Sequence, residues 1–273
     1  MANRDMGQQA METDDQFTVT LARGLQLLQA FSVDRPVLTN AELVQRCGLN
    51  KATVSRLAFT LIELGYLRRQ GPRSGYALDT GVLELGYPLL ASMQIRQIAR
   101  PLMRALSERV HGTVSICVRD RDSIAYLDSA RENEADTPLV DIGSTLPLVA
   151  SAGGRAWLAA VSASECTAVL NRLRLQDPDF VQANMKEVEK SRASLLNHGF
   201  CINRGAHDAR RVAVAVPMAR ALHGELIVFN CSLLVQENQR MARAREVGGQ
   251  LRAMVRAVEV LAGLRPPPYG EEE

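Results

Sequence analysis

Residues 39 to 65 read TNAELVQRCGLNKATVSRLAFTLIELG, and this stretch predicts two short helices joined by a tight turn. Thr39 and Glu42 have the spacing of a capping box, in which each side chain accepts a hydrogen bond from the other residue's backbone N–H. Gly48 supplies the permissive backbone that the turn needs, and Asn50 can cap the second helix. Two helices with such a turn form a helix-turn-helix, which indicates DNA binding.

The second helix has an apolar face and a polar face. The apolar positions recur at spacings of three and four residues, which predicts their burial: Val54, Leu57, Leu61 and Leu64. The opposite face carries short side chains between cations: Lys51, Ala52, Thr53, Ser55, Arg56, Phe59 and Thr60. Such side chains suit base edges, because small methyls fit a thymine methyl, hydroxyls donate or accept, and arginine can bind guanine through two hydrogen bonds. The alternative is an ordinary solvated helix face.

The residues after this helix predict a β-wing. Short extended runs at residues 66–68 and 76–78 flank a turn rich in glycine, proline and serine. The whole chain carries a formal net charge of only +2, yet this region concentrates six cations: Arg46, Lys51, Arg56, Arg68, Arg69 and Arg73. The concentration predicts the surface on which a duplex would lie.

The segment from Leu21 to Leu85 resembles the N-terminal domain of the IclR family of transcriptional regulators almost position by position. The resemblance includes the opening helix, GLNKATVSRL (48–57), LGYL (64–67) and GYAL of the wing (75–78). It continues in LPLVASAGGRAWLA (146–159), HGF (198–200), VAVAVPM (212–218) and the long closing helix. The resemblance implies a homodimer or a dimer of dimers that binds double-stranded operator DNA and a small-molecule effector.

Five segments are expected along the chain. They are a disordered leader (1–16), a winged helix-turn-helix domain (17–78), a linker helix (79–94), an effector-binding domain (95–263) and a flexible tail (264–273). In the first domain, an apolar stripe of the opening helix should pack on the helix-turn-helix: Leu21, Leu25, Leu28 and Phe31. Helices that flank a largely antiparallel sheet make the second domain α+β, and the resemblance implies that it is GAF-like.

Length and composition exclude several classes of protein. A chain of 273 residues with 47% hydrophobic content can bury two cores without being stapled. The cysteines are odd in number and far apart, so we expect reduced core residues: Cys47, Cys117, Cys166, Cys201 and Cys231. The first sixteen residues lack an apolar run, and no segment approaches the roughly 20 apolar residues of a membrane span. We therefore expect a cytoplasmic protein without a membrane partner.

The sequence carries no motif of an enzyme. It lacks a G-x-S-x-G elbow, a Walker phosphate loop and an H-E-x-x-H pair, so we expect no catalytic residue, no cofactor and no metal. The four histidines are scattered. The alternative for a metal site is that His207, beside Asp208, converges in space with His223 or Cys231.

The stretch SAGGRA (151–156) predicts a strand-to-helix junction, where small residues expose backbone N–H groups that favour an anion. By resemblance the effector pocket is built from this junction and later strands, at Leu146, Ala152, Gly153, Gly154, Asn203, Ala213, Asn230 and Ser232. Close helix packing is the alternative reason for the two glycines. Asn203 and Asn230 stand on β-like runs where amides are disfavoured, which indicates a polar pocket wall or an exposed edge.

The sequence thus predicts a ligand-responsive DNA-binding regulator, with a repressor favoured over an activator and a carboxylic or aromatic acid as the effector. The family commonly has an acid-rich turn before the VAVAVP-like strand, and here residues 204–211 are rich in arginine instead. The change favours anionic ligands or means that the usual effector is not bound. The alternative function is a metabolite-binding or enzymatic protein in which the helix-turn-helix is a packing module.

Overall fold

The computed structural model describes residues 16–71, 75–132, 141–204 and 210–264. It contains two compact units, which meet in sequence between Ser92 and Met93. Arg73, His207 and most of the expected leader and tail lie outside the described residues. The two units are described separately below.

The N-terminal unit contains the predicted helix-turn-helix and wing. Its elements are α1 (Val19–Leu28), β1 (Val37–Leu38), α2 (Asn40–Cys47), α3 (Lys51–Glu63), β2 (Leu67–Gln70), β3 (Gly75–Leu78) and α4 (Gly81–Ser92). The strands form a small antiparallel sheet in the order β1-β3-β2.

Both predicted helix starts are confirmed. The Thr39 hydroxyl accepts from the Glu42 N–H at 3.2 Å, and the Glu42 carboxylate accepts from the Thr39 N–H at 2.8 Å. Helix α2 ends at Cys47 and is capped by Gly48, whose φ of 66° lies in the left-handed region that favours glycine. The Asn50 side chain then accepts from the Thr53 N–H at 2.8 Å and starts α3. The turn geometry therefore follows directly from these local residues.

The core of this unit differs in part from the predicted stripes. Leu27, Leu43 and Val54 are fully buried, and each such side chain contributes about 1.5–3 kcal/mol to folding. Leu21 and Leu25, predicted to pack inward, are exposed, because α1 turns the face that contains Leu27 toward α2 and α3.

The predicted burial of the apolar face of α3 is confirmed except at the end of the helix. Val54 and Leu61 are buried, and Ala58 lies between them with no exposed surface. Leu64 was expected to be buried and is 61% exposed. The physical reason is that Leu64 is the C-cap residue of α3 and lies about 80° from Val54 around the helix, at the edge of the apolar face.

The C-terminal unit surrounds one six-stranded sheet. Its elements are α5 (Gln94–Val110), β4 (Gly112–Asp120), β5 (Ser123–Ala130), β6 (Thr145–Pro147), α6 (Ala152–Ala160), α7 (Ala163–Gln176), α8 (Pro178–His198), β7 (Cys201–Asn203), β8 (Arg211–Pro217), β9 (Val228–Leu234) and α9 (Arg240–Leu261). A short 3-10 helix (Glu237–Gln239) precedes α9. The strand order is β6-β5-β4-β9-β8-β7 with antiparallel pairing throughout, which confirms the α+β prediction.

Two helices of this unit contain a proline. Helix α8 begins at Pro178, directly after Asp177. Proline fits the first helical position because its missing N–H needs no partner there, and the Asp177 carboxylate caps the Phe180 N–H at 2.9 Å. Helix α5 begins at Gln94, and Pro101 lies in its interior.

The buried residues agree with the expected cysteine chemistry. All five cysteines are free and buried, as predicted.

Among the described residues, no helix is long and apolar enough to cross a membrane. Within the same residues, no three histidine, cysteine or acidic side chains are grouped so that they could hold a metal ion. His207 and Asp208 lie outside this part of the chain.

Candidate functional site

The polar face of α3 is exposed in the N-terminal unit. Its exposed members are Lys51, Ala52, Ser55, Arg56, Phe59 and Thr60, and only Thr53 is half-buried. The Thr60 hydroxyl donates to the Arg56 carbonyl oxygen at 3.1 Å, the bond that a helical threonine commonly makes to its own backbone. The structure thus presents small and positively charged side chains along one side of a slim helix.

Ser55 differs from Thr60 because it is held by another helix. Asn40, the first residue of α2, donates through Nδ2 to the Ser55 Oγ at 3.0 Å. The sequence analysis missed Asn40, since the two residues are fifteen positions apart and meet only where α2 crosses α3.

The cations of this unit fall into two groups. Lys51, Arg56 and Arg68 are exposed and form no ion pair with any described residue. Arg46 was expected on the DNA surface but is half-buried, and its guanidinium donates to the Ala30 carbonyl oxygen at 2.7 Å. That bond joins α2 to the end of α1, so Arg46 has a structural role.

The wing separates two arginines that are neighbours in sequence. Arg69 pairs with Tyr76 across the sheet, and its guanidinium lies 5.8 Å from the centre of the Tyr76 ring. Arg68 pairs with Ala77 and points to the opposite face, because successive side chains of a strand alternate. The two arginines therefore face different sides of the wing.

In the C-terminal unit, strand pairing brings four of the eight predicted effector residues together. Asn203 pairs with Ala213, and Ala213 pairs with Ser232. Residues paired directly across antiparallel strands share one face, so these three form a row across β7, β8 and β9. Asn230 lies on the same face in the adjacent row, two residues before Ser232. We call this surface, with Tyr126, Ser115 and Ser129, the effector face.

Both asparagines of the effector face are buried, so the alternative of an exposed edge is wrong. Asn203 is 8% exposed and donates to the Ala150 carbonyl oxygen at 2.8 Å. Asn230 is 5% exposed and donates through Nδ2 to the Tyr126 hydroxyl at 2.9 Å. The Oδ1 atom of Asn230 is buried and has no hydrogen-bond partner among the described residues. A buried acceptor left unpaired costs free energy unless a donor reaches it.

Three residues of this face were missed from sequence. Tyr126 on β5 lies opposite Cys117, and Ser115 and Ser129 are paired, with their hydroxyl oxygens 2.9 Å apart. Burial raises the pKa of the Tyr126 hydroxyl well above its usual range, so it stays neutral and can both donate and accept. Their only sequence signal is the alternation of strand faces, which needs the register to be interpreted.

The glycine junction is explained by packing. A Cβ atom at Gly154 would lie 2.1 Å from the Leu148 carbonyl oxygen, and one at Gly153 would lie 2.9 Å from the Cys117 Sγ. The Gly154 N–H is already bound by the Ser151 hydroxyl at 3.1 Å. These contacts favour the close-packing alternative for both glycines. The neighbouring Ala152 belongs to the same apolar cluster as Tyr126 of the effector face, and Leu146 packs against that cluster.

Two family models match the chain: the IclR helix-turn-helix domain over residues 20–71 and the bacterial transcriptional regulator IclR C-terminal domain over residues 88–260. The chain belongs to the IclR family of transcriptional regulators. This family consists of regulators rather than enzymes, which removes the enzymatic alternative. Its members include both a transcriptional repressor and a transcriptional activator.

The similarity extends over nearly the whole chain. The HTH-type transcriptional regulator TsaQ1/TsaQ2 of Comamonas testosteroni is 30% identical over 262 residues, which are 95% of this chain and 94% of the relative. The crystal structure of an IclR family transcriptional regulator from Brucella abortus matches with a TM-score of 0.75 at 36% identity, covering 91% of this chain and 94% of that chain. An IclR homologue from Microbacterium hydrocarbonoxydans, crystallised with 4-hydroxybenzoate, matches in fold with a TM-score of 0.65 at 24% identity, covering 87% and 99%.

Proposed function

We propose that this regulator binds a double-stranded DNA operator through α3 and the wing, and that a small molecule on the effector face changes this binding. The observation that carries the proposal is the exposed face of α3, with its small side chains between Lys51 and Arg56. A helix of this width fits a major groove, where residues near its start reach the base edges.

The DNA-binding residues divide by role. Ala52, Ser55 and Arg56 project from the first turns of α3 and are proposed to contact bases. Backbone contacts are assigned to cations and to polar residues at the helix starts: Thr39, Asn50, Lys51, Thr53, Thr60, Arg68, Arg69 and Arg73. Since Arg68 and Arg69 face different sides of the wing, they would contact phosphates on different sides of it.

A buried polar wall supports the effector site. Asn203, Asn230 and Tyr126 offer neutral hydrogen-bonding groups on one face, and Asn230 keeps an acceptor without a described partner. A carboxylic or aromatic acid that carries a hydroxyl could donate to this acceptor. The 4-hydroxybenzoate held by the fold neighbour is such a compound, and we carry that ligand class to this chain as a proposal.

The exposed side of α4 supports a homodimer. This helix has no buried residue, and it exposes four large apolar side chains: Leu83, Leu85, Tyr87 and Leu89. Apolar surface removed from water contributes about 25 cal/mol per Å², so a second copy that covers these side chains would be stabilised. Two copies would place two α3 helices on a near-palindromic operator, and a dimer of dimers would extend this arrangement.

We propose a repressor in the cytoplasm, the compartment that holds bacterial DNA. The sign of regulation depends on where the operator lies relative to the polymerase site. A reporter gene placed behind the upstream DNA tests the sign. Deletion of the regulator's gene should raise reporter expression if the protein is a repressor and lower it if the protein is an activator.

A gel shift on the DNA upstream of the chain's own gene tests DNA binding. Wild-type protein should form a specific complex that Arg56→Ala weakens about tenfold, the value of one well-placed base contact. Arg245→Ala is the matched control, because Arg245 is an exposed cation on α9. Equal, weak and sequence-blind binding by all three proteins would favour the metabolite-binding alternative.

A thermal-shift screen of carboxylic and aromatic acids tests the effector site. A ligand that stabilises wild-type protein should lose its effect in Tyr126→Phe and Asn230→Leu and keep it in Asn197→Leu, a control at an exposed position of α8. If every acid leaves the melting temperature unchanged, the proposed ligand class is wrong.

A further inference from the structure

One hydrogen bond links the start of α2 to the proposed base-reading face of α3. Asn40 Nδ2 donates to the Ser55 Oγ at 3.0 Å, while Asn40 Oδ1 is buried with no hydrogen-bond partner among the described residues. Asn40 is half-buried, whereas Ser55 is exposed.

The bond decides whether the Ser55 hydroxyl offers a hydrogen-bond donor or an acceptor to solvent. A serine hydroxyl has one hydrogen and can accept from one side while it donates on another. Here its oxygen accepts from Asn40, and the hydroxyl donates to no described residue. Thr60 makes the opposite use of its hydroxyl, because its hydrogen is taken by the Arg56 carbonyl oxygen of the same helix. Ser55 is thus presented to solvent as a hydrogen-bond donor.

We propose that Asn40 is a specificity-determining residue that fixes Ser55 as a donor toward the major groove. A free serine reads either donors or acceptors and discriminates poorly. A serine fixed as a donor can hydrogen-bond to guanine, adenine or thymine, since each presents an acceptor atom in the major groove. It disfavours cytosine, which presents only an amino group there. The inference rests on the proposed operator binding by α3.

The test is the selection of bound duplexes from a random pool by the full-length protein. Wild-type protein should yield a consensus with one position per half-site from which cytosine is excluded. Asn40→Ala and Ser55→Ala should each relax that same position by about fivefold, the value of one neutral hydrogen bond. The double variant should relax it no further, because both changes remove one interaction. Gln45→Ala, at an exposed position of α2, is the control and should keep the wild-type consensus.

Asn40→Asp adds a readout that a purely structural role would not move. A carboxylate only accepts, so it would take the Ser55 hydrogen and leave the serine lone pairs toward the groove. The preference at that position should turn toward cytosine or the amino group of adenine. Thermal unfolding of each variant, followed by circular dichroism, distinguishes loss of the fold from loss of base recognition.

Three results would overturn the inference and leave the proposed function intact. The first is a wild-type consensus that Asn40→Ala reproduces at every position, and the second is relaxation by Asn40→Ala at a position different from that of Ser55→Ala. The third is additive effects in the double variant. A wild-type protein that selects no sequence would refute the proposed function, and the inference with it.

Discussion

Raising the salt concentration should weaken operator binding steeply, with a slope that can be calculated from the number of cations proposed to contact phosphates. Each phosphate neutralised by a cation releases a counterion and contributes about −0.9 to the slope of log K against log salt. The backbone contacts proposed above include four cations in each subunit: Lys51, Arg68, Arg69 and Arg73. A homodimer doubles this number and gives a slope of about −7, which is roughly a 10⁴-fold loss of affinity between 50 and 200 mM salt.

The Arg68→Ala variant should change this slope by a calculable amount. The substitution removes two cations from a dimer and should bring the slope to about −5. Between the same two salt concentrations the variant should therefore lose about tenfold less affinity than wild-type protein. Fluorescence anisotropy with a labelled operator duplex measures the constants directly. Arg245→Ala should keep the wild-type slope, because Arg245 lies on α9 in the other unit.

A nearly flat salt dependence in wild-type protein would refute the electrostatic reasoning, since a duplex whose phosphates are bound by these cations must release ions. An unchanged slope in Arg68→Ala would remove the wing from the DNA surface. A slope lowered by Arg245→Ala would show that α9 contacts the duplex and that the cations near its start are a second nucleic-acid surface.

Three further predictions concern stability. Glu42→Ala removes the capping box and should lower the free energy of unfolding by about 1 kcal/mol in urea titrations, with Gln45→Ala as a neutral control. Asp128→Asn should cost about 3 kcal/mol in the same assay, because the buried Asp128 carboxylate lies 3.3 Å from the Arg96 guanidinium, and an unchanged midpoint would contradict this. Burial raises the pKa of the Cys201 thiol to about 12, so the unfolded thiol ionises first and the melting temperature should fall as the pH rises above about 9. A smaller fall in Cys201→Ala would support this cause, and an identical fall would contradict it.

Features set by neighbours in sequence were predictable, and features set by packing were not. The capping box at Thr39, the Asn50 cap and the polar face of α3 each depend on residues within one or two turns, so local chemistry decides them. The buried side of α1 could not be predicted from the sequence, because leucines occupy more than one side of that helix. Only its contact with α2 and α3 determines that Leu27 is buried.

The effector face shows the same division. Asn203 and Asn230 stood out because amides are unusual in strands, and the family resemblance placed Ala213 and Ser232 beside them. Tyr126 could not be found in this way, since its bond to Asn230 joins residues 104 positions apart and depends on the order of strands in the sheet. Long-range register is a property of the folded sheet and leaves little trace in a single sequence.

The most direct test of α3 as the DNA-reading helix is protection of the operator from dimethyl sulfate, which methylates guanine N7 in the major groove. We predict two protected patches on one side of the duplex, about one helical turn or 34 Å apart, and weaker protection by Arg56→Ala. A duplex that is bound tightly by the full-length protein while every guanine N7 stays fully reactive would contradict this account.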